Sequence, residues 1–189
     1  YMSYIVPLDI EKEVEAARKI GKDAKLVTET DLPFKVKAAI EFDGQAQFHA
    51  RKYMLGLAKT ILKDNKIYNF TTVLDVKKEG ETFNIYTDRG IINSKYVVLA
   101  THYPIINAPG FHFLKMYQST SYIIAIETNS KLPQGMYIND KPPIYSFRTA
   151  PYNGKDILLI GGSDHKTGEP VPDNSKYEDL EKKAKELYP

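Results

Sequence analysis

The sequence predicts a mixed fold, between α/β and α+β, with two sheets of different character. The first observation is a helical apolar pattern over residues 51–64, followed by alternating segments and then a continuous apolar run at residues 96–100. The second is a series of alternating segments after residue 102, separated by proline and glycine turns with no helix between them. The helix, meander and apolar run of the first observation are typical of an α/β unit. The uninterrupted series of strands in the second observation is typical of an antiparallel sheet.

The first 43 residues predict a strand, a helix and two further short strands. Residues 1–6 are aromatic and β-branched, and Pro7 would end that strand. An apolar stripe over residues 9–20 predicts a helix, with Asp9 as its N-cap and Gly21 just past its end. Residues 25–28 and 35–42 are the two candidate strands that follow.

The middle of the chain predicts a helix at 51–64 and an antiparallel meander after it. Alternating residues at 72–77 and 83–86 are typical of half-buried strands, and Gly80 and Gly90 suit the turns beside them. The run at 96–100 is rich in β-branched residues and has polar neighbours on both sides. It predicts a strand buried on both faces, as in a parallel sheet.

The remainder predicts a second, antiparallel sheet and a final helix. A loop with Pro104, Pro109 and Gly110 precedes candidate strands at 119–127, 136–138, 144–149 and 156–162. An amphipathic helix begins at 174 or 175. We therefore expect one domain at 44–102, a second made of 1–43 and 103–174, and a C-terminal helix at 175–189.

Composition excludes several classes of protein. The net charge is +2 and the basic residues are scattered, which argues against a nucleic-acid partner. The chain has no cysteine, and its 4 histidines lack metal-site spacing, so we expect no metal site. It shows no signal peptide and no long apolar span, so we expect a cytoplasmic protein without a membrane partner.

Five segments together resemble the D-amino-acid oxidase and glycine oxidase superfamily of FAD-dependent oxidoreductases. They are residues 42–49 (FDGQAQFH), the helix after them, Thr71-x-Val73, Ala100-Thr101-His102 and residues 161–165 (GGSDH). The likeness extends over nearly the whole chain and is nearest to bacterial members, some of which carry a Rieske domain further on. It implies that residues 44–102 belong to an FAD-binding domain and that most of the rest binds substrate. It also implies FAD as cofactor and hydride transfer to flavin from the C–N bond of a small amine or amino acid.

None of the 11 glycines belongs to a G-x-G-x-x-G sequence, the strand-to-helix turn that holds a dinucleotide pyrophosphate. We therefore expect the chain to be a piece of a longer protein, whose preceding βαβ unit would hold most of the FAD. On that expectation this piece alone is inactive and retains no flavin.

The resemblance implies cofactor and substrate contacts at several positions. Val73 would face the adenine end of FAD, and Ala100 and Thr101 would pass beside the dinucleotide. Gly162 lies in the loop that resembles the active-site loop, although its lack of a side chain would equally admit another strand. In an extended segment Gln47 and His49 point the same way, and the resemblance places them beside flavin and substrate. The alternative is that both bond to neighbouring backbone.

Arg148 is the candidate for binding a substrate carboxylate, because a guanidinium binds such a group bidentately. Tyr122 or Tyr145 could complete that site with a hydroxyl. The alternative is that Arg148 pairs with a surface acid and the tyrosines are cross-strand neighbours. No residue stands out as a catalytic acid or base.

Two other functions compete with an amine-oxidising enzyme. One is a non-catalytic module whose exposed sheet edge docks a partner strand. The other is a flavin hydroxylase, which shares the helix and meander but differs in its second sheet.

Overall fold

The computed structural model describes residues 2–4, 7–107, 110–139 and 141–188, and the side chains from residue 10 onward within those ranges. It forms two compact units: Tyr1–Gln47 with Ser119–Pro189, and Phe48–Gln118. The second unit thus begins 4 residues after the predicted boundary at 44 and continues past 102 through the loop. Residues 1, 5 and 6 of the predicted first strand, and Pro109 of the predicted loop, lie outside the described residues.

The elements follow the predicted order, with one strand missing. They are β1 (Met2–Tyr4), α1 (Pro7–Lys19), β2 (Ala24–Val27), β3 (Ala39–Phe42), α2 (Ala50–Ile61), β4 (Val73–Glu79), β5 (Thr82–Thr87), β6 (Gly90–Ser94), a 3-10 turn (His112–Leu114), β7 (Ser119–Ile126), β8 (Met136–Asn139), β9 (Tyr145–Tyr152), β10 (Lys155–Lys166) and α3 (Ser175–Leu187). Helices and largely antiparallel sheets together confirm the predicted mixed class.

The first unit is built on a seven-stranded sheet of the described residues, in the order β2-β3-β1-β8-β9-β10-β7. The β1–β8 pair is parallel and the other pairs are antiparallel. The sheet joins strands from both ends of the chain, as expected for a domain made of two separate segments.

Two helices cover different faces of this sheet. Leu180 and Ala184 of α3 pack against Leu158 and Ile160 of β10, and all four are almost fully buried. Ile10 and Val14 of α1 pack against Ala38 and Ile40 around β3. Ala39 points the other way, because successive strand residues alternate between faces. Therefore α1 lies on the face opposite α3, at the β2–β3 edge.

Beyond α1, no helix of the first unit packs on the face opposite α3 among the described residues, and we call this face the open face. Along β7 the residues alternate regularly, with Ile123 62% exposed and Ile124 turned towards the core. The strand register aligns Leu159 with Arg148, and Arg148 with Met136. Since paired residues project from the same side of a sheet, these three share the open face with Ile123.

The second unit contains α2 and the antiparallel meander β4-β5-β6. Among the described residues of this unit, Ile85 of the central strand is buried. The main-chain N–H of Thr72 donates to the Asp88 carboxylate at the second turn, at 2.9 Å. The meander was expected from the alternating pattern and its glycine turns.

The buried parallel strand predicted at 96–100 does not form, and that prediction was wrong. Residues 96–100 are not in a strand, and Tyr96 and Val98 are 84% and 87% exposed. A parallel strand needs a neighbour on which to pair, and within this unit β6 already ends at Ser94 without another strand beside this segment. An apolar β-branched run cannot create a strand without such a partner.

Candidate functional site

The open face carries a small cavity around Arg148. The cavity has a volume of about 220 Å³ and is lined by Ile123, Met136, Ser146, Arg148, Leu159 and Gly161, together with neighbouring backbone. Four adjacent strands supply these residues, so rigid paired backbone holds their relative positions.

Gly161 keeps this cavity open. A β-carbon at position 161 would lie 2.7 Å from the Ser146 hydroxyl oxygen and 3.5 Å from Ile123. A side chain there would displace Ser146 and fill the space beside Arg148. The glycine therefore leaves a hydroxyl and a guanidinium facing one apolar recess.

Arg148 has no ion-pair partner within the part of the chain that the structure describes. It is half-buried, next to the apolar side chains of Met136 and Leu159. The alternative expectation, a pair with a surface acid, is thus not what the described residues form. A half-buried guanidinium without a carboxylate partner can bind the carboxylate of a ligand.

The two tyrosines do not join Arg148, because strand alternation places them on the α3 side of the sheet. Tyr145 is three residues before Arg148 in β9 and packs beside the core, with Lys183 Nζ 5.8 Å from its ring centre. Tyr122 stacks on His165 at 5.7 Å and meets the edge of Tyr177 at 5.0 Å. The expected site combining Arg148 with Tyr122 or Tyr145 was therefore wrong as an arrangement.

Gly162 approaches another strand closely. A β-carbon there would lie 2.3 Å from the carbonyl oxygen of Ile144, and its φ of +149° is one that other residues rarely adopt. This neighbour accounts for the glycine without a ligand. A direct contact from Gly162 to cofactor stays a prediction.

Gln47 ends the first unit and His49 lies in the second, and both side chains are exposed. His49 is the N-cap of α2, where its Nδ1 accepts from the main-chain N–H of Lys52 at 3.4 Å. His49 lies two residues before the helix predicted at 51–64, but histidine is an uncommon N-cap and this role was not predicted. The backbone alternative is thus the one realised for His49 here.

Val73 begins β4, and Ala100 and Thr101 lie in the segment without regular secondary structure after β6. All three are exposed, Val73 at 37%. Their contacts with FAD stay predictions. The residues of this chain do not provide a binding site for the FAD pyrophosphate, because the chain has no G-x-G-x-x-G sequence.

The helix α2 presents an exposed apolar surface. None of its residues is buried, and Tyr53, Met54, Leu57 and Ile61 are between 40% and 60% exposed. An amphipathic helix normally packs its apolar stripe against another element, so this stripe marks a surface suited to a partner.

Asp31 organises a polar group on the α3 side of the sheet. It accepts hydrogen bonds from the Tyr137 hydroxyl and from the main-chain N–H of Gln134, the latter at 2.6 Å. Burial, and then the bond to Asp31, raises the pKa of Tyr137 well above its usual range. This group anchors the segment 30–36 and is separate from the open face.

The described residues contain neither a candidate metal-binding cluster nor a candidate membrane-spanning helix. No group of three or more histidine, cysteine, aspartate or glutamate side chains there is arranged to hold a metal ion. No helix in the same ranges combines the length and apolar character needed to span a bilayer.

Comparison with known proteins places the chain in a family. Residues 7–189 match the family model for FAD dependent oxidoreductases, called DAO. The chain belongs to this family, as the resemblance had indicated.

One curated relative is YhfW of Bacillus subtilis (strain 168), whose name assigns it provisionally to the Rieske 2Fe-2S iron-sulfur proteins. It is 33% identical over 177 residues, covering 93% of this chain and 35% of the relative. The chain therefore spans about a third of the length of that protein.

Solved structures share the fold. Glycine oxidase from Geobacillus kaustophilus superimposes with a TM-score of 0.70 at 19% identity, over 96% of this chain and 50% of that one. NikD, named as an amino acid oxidase of nikkomycin biosynthesis, gives a TM-score of 0.63 at 10% identity, over 100% and 56% of the two chains. At these identities the likeness concerns the fold.

Proposed function

We propose that this chain is the substrate-binding part, with a flank of the FAD-binding part, of an enzyme that oxidises the C–N bond of a small amino acid or amine. The observation that carries the proposal is Arg148, half-buried on the open face and without a carboxylate partner among the described residues. The names of glycine oxidase and NikD, both of which share this fold, support an amino acid as the substrate class.

On this proposal Arg148 binds the substrate carboxylate, and Ser146 offers a hydroxyl beside it. Met136, Leu159 and Ile123 form an apolar wall that suits a small side chain. Gly161 leaves room for the ligand above the sheet. FAD, when bound, supplies the acceptor for a hydride from the substrate carbon next to nitrogen.

The cofactor proposal rests on the second unit. We propose that the exposed stripe of α2 packs against a glycine-rich βαβ unit that holds the FAD pyrophosphate. This pairing would cover Met54 and Leu57. Val73, Ala100, Thr101 and Gly162 then remain candidate cofactor contacts, and Gln47 and His49 candidate substrate contacts.

The test of substrate class uses the protein from its complete gene and two sets of substrates, amino acids and the matching amines. Flavin bleaching without oxygen reports amine oxidation, whereas oxidation of NAD(P)H would favour the flavin hydroxylase. Arg148→Met should raise KM for amino acids about 10- to 100-fold, since charge-assisted hydrogen bonds are worth about 1.5–3 kcal/mol. It should leave KM for amines nearly unchanged.

Arg89→Met is the matched control, because Arg89 lies exposed in a turn of the meander. It should leave both KM values at the parent level. Equal loss of amine and amino-acid turnover in the Arg148 variant would contradict carboxylate binding by Arg148.

A strand-docking module is the second candidate, and β7 is the observation that favours it. This strand has 8 residues and forms one edge of the seven-stranded sheet of described residues. A proline at the centre of β7 should abolish partner binding on this hypothesis, whereas flavin-dependent turnover would argue against a purely structural module.

A further inference from the structure

A larger cavity lies on the α3 side of the sheet, away from the open face. It is bounded by the segment 30–39, by residues 137–139 and 141–145, and by the C-terminal end of α3. Its volume of about 580 Å³ lies within the range of about 300–1,000 Å³ that is usual for small-molecule sites. All of its residues belong to the first unit.

The floor of this cavity is apolar and firmly packed. Phe147 and Tyr137 are 6% and 5% exposed and belong to the main core of the sheet. Phe34 meets Phe147 edge-on, with ring centres 6.0 Å apart, and Val36 and Leu187 add aliphatic surface. The cavity therefore needs no rearrangement to receive an apolar body.

The rim is cationic. Lys35, Lys37, Lys141 and Lys183 line the cavity, and Glu186, the one carboxylate in the lining among the described residues, is paired with Lys183 at 3.0 Å. A rim of this charge repels cations and attracts anions into the recess.

Lys183 is the best-placed of these cations for a direct contact. Its side chain is 27% exposed, and its Nζ lies 3.0 Å from both Glu186 carboxylate oxygens and 5.8 Å from the Tyr145 ring centre. An ammonium group has three N–H donors, so at least one remains for a ligand after two bonds to Glu186.

We propose that this cavity binds an amphipathic monocarboxylate, with its aliphatic or aromatic body on the floor and its carboxylate at the rim near Lys183. A polyanion such as a nucleotide fits less well, because its polar groups would lie unpaired against Phe34 and Val36. A cation fits less well, because lysines outnumber carboxylates in the described lining. The site is distinct from the proposed substrate site, which lies across the sheet.

The experiment measures binding of octanoate to the protein by titration calorimetry, with octyltrimethylammonium and 1-octanol as length-matched probes. Octanoate should bind saturably, more tightly than the alcohol, and the cation should not bind. Lys183→Met should weaken octanoate binding about tenfold, since one charge-assisted hydrogen bond is lost. Lys182→Met, on the same helix but outside the lining, should change it less than twofold.

Amide chemical shifts of the parent protein locate the bound ligand. They test the proposal even if the Lys183 variant does not fold. Octanoate should change the amide chemical shifts of Phe34, Val36 and Leu187, and leave those of Ile123 and Arg148 unchanged. Arg148→Met should leave octanoate affinity unchanged, which separates this site from the proposed active site. Absence of saturable binding, equal binding of the cation, or shifts on the open face would overturn the proposal.

Discussion

At the scale of single residues, two glycines and two tyrosines show how close packing limits the substitutions that the chain can tolerate. Gly162 and Gly154 both have positive φ, but the added β-carbon would meet the Ile144 carbonyl only at Gly162 and open space at Gly154. Tyr137 and Tyr188 are both buried on the α3 side, but only Tyr137 has a hydrogen-bond partner among the described residues.

Gly162→Ala should destabilise the first unit by more than about 3 kcal/mol, because strain at φ +149° adds to a 2.3 Å clash with backbone. Gly154→Ala, the control, should cost only about 1 kcal/mol from its left-handed backbone. Urea unfolding followed by circular dichroism measures both. Similar losses in the two variants would show that strand β10 shifts away from Ile144 readily.

Tyr188→Phe should flatten the fall of stability at alkaline pH. Burial raises the pKa of Tyr188 from 10.0 to about 12. The unfolded chain therefore loses this proton first, and stability declines as pH rises from about 10 through 12. Without the hydroxyl this decline should be shallower.

At pH 7 the same variant should stay within about 1 kcal/mol of the parent, because the Tyr188 hydroxyl has no partner among the described residues. Urea midpoints taken at pH 7, 10 and 11.5 would check both statements. An unchanged alkaline slope would contradict the assignment.

At the scale of elements, α3 is the helix on which the first unit depends. Leu180 is 0% exposed and packs with Leu158 and Ile160. Leu180→Ala should cost about 2–5 kcal/mol, because the cavity left in a close-packed core is only partly filled. Lys182→Ala, exposed on the same helix, should change stability by less than about 0.5 kcal/mol. Thermal unfolding of the two variants gives the comparison.

The start of α2 can separate the two roles considered for His49. Aspartate is a better N-cap than histidine, so His49→Asp should stabilise α2 by about 0.5–1 kcal/mol and slow hydrogen exchange at Lys52 and Tyr53. Turnover by the complete protein should persist if His49 acts only as a cap. A large rise in KM with the helix intact would instead support a place for His49 beside the substrate.

The order of elements could be predicted from sequence because it follows local patterns. The apolar stripe of α1, the alternation in β7 and the glycine turns of the meander are three such patterns. Each of them is formed by residues that are only a few positions apart in the sequence. Residues 96–100 were predicted wrongly because a strand buried on both faces is defined by its neighbours, and sequence pattern alone does not supply them.

The role of Arg148 stays a prediction, made because its residue type suits carboxylates. The structure adds the open face and the small cavity around this side chain. The prediction that the tyrosines lie beside Arg148 was wrong because of strand alternation. Tyr145 and Arg148 are an odd number of residues apart in β9, so their side chains point to opposite faces of the sheet. The cationic cavity near Lys183 was not predicted, because it joins three segments distant in sequence.

At the scale of the whole molecule, the two units differ in how well they are covered. The first has a core shared between helix and sheet, whereas in the second unit α2 has no buried residue. Membership of the FAD dependent oxidoreductase family, together with the missing glycine fingerprint, gives this difference a consistent interpretation. The second unit is proposed to be the flank of a cofactor site whose other side is a βαβ unit.

The visible absorption spectrum, recorded after desalting in the presence of added FAD, tests this account most directly. The protein from the complete gene should retain a flavin spectrum, and the 189-residue chain should emerge colourless. A complete protein without flavin would contradict the proposed oxidoreductase, and a 189-residue chain that keeps flavin would contradict the proposed location of the pyrophosphate site.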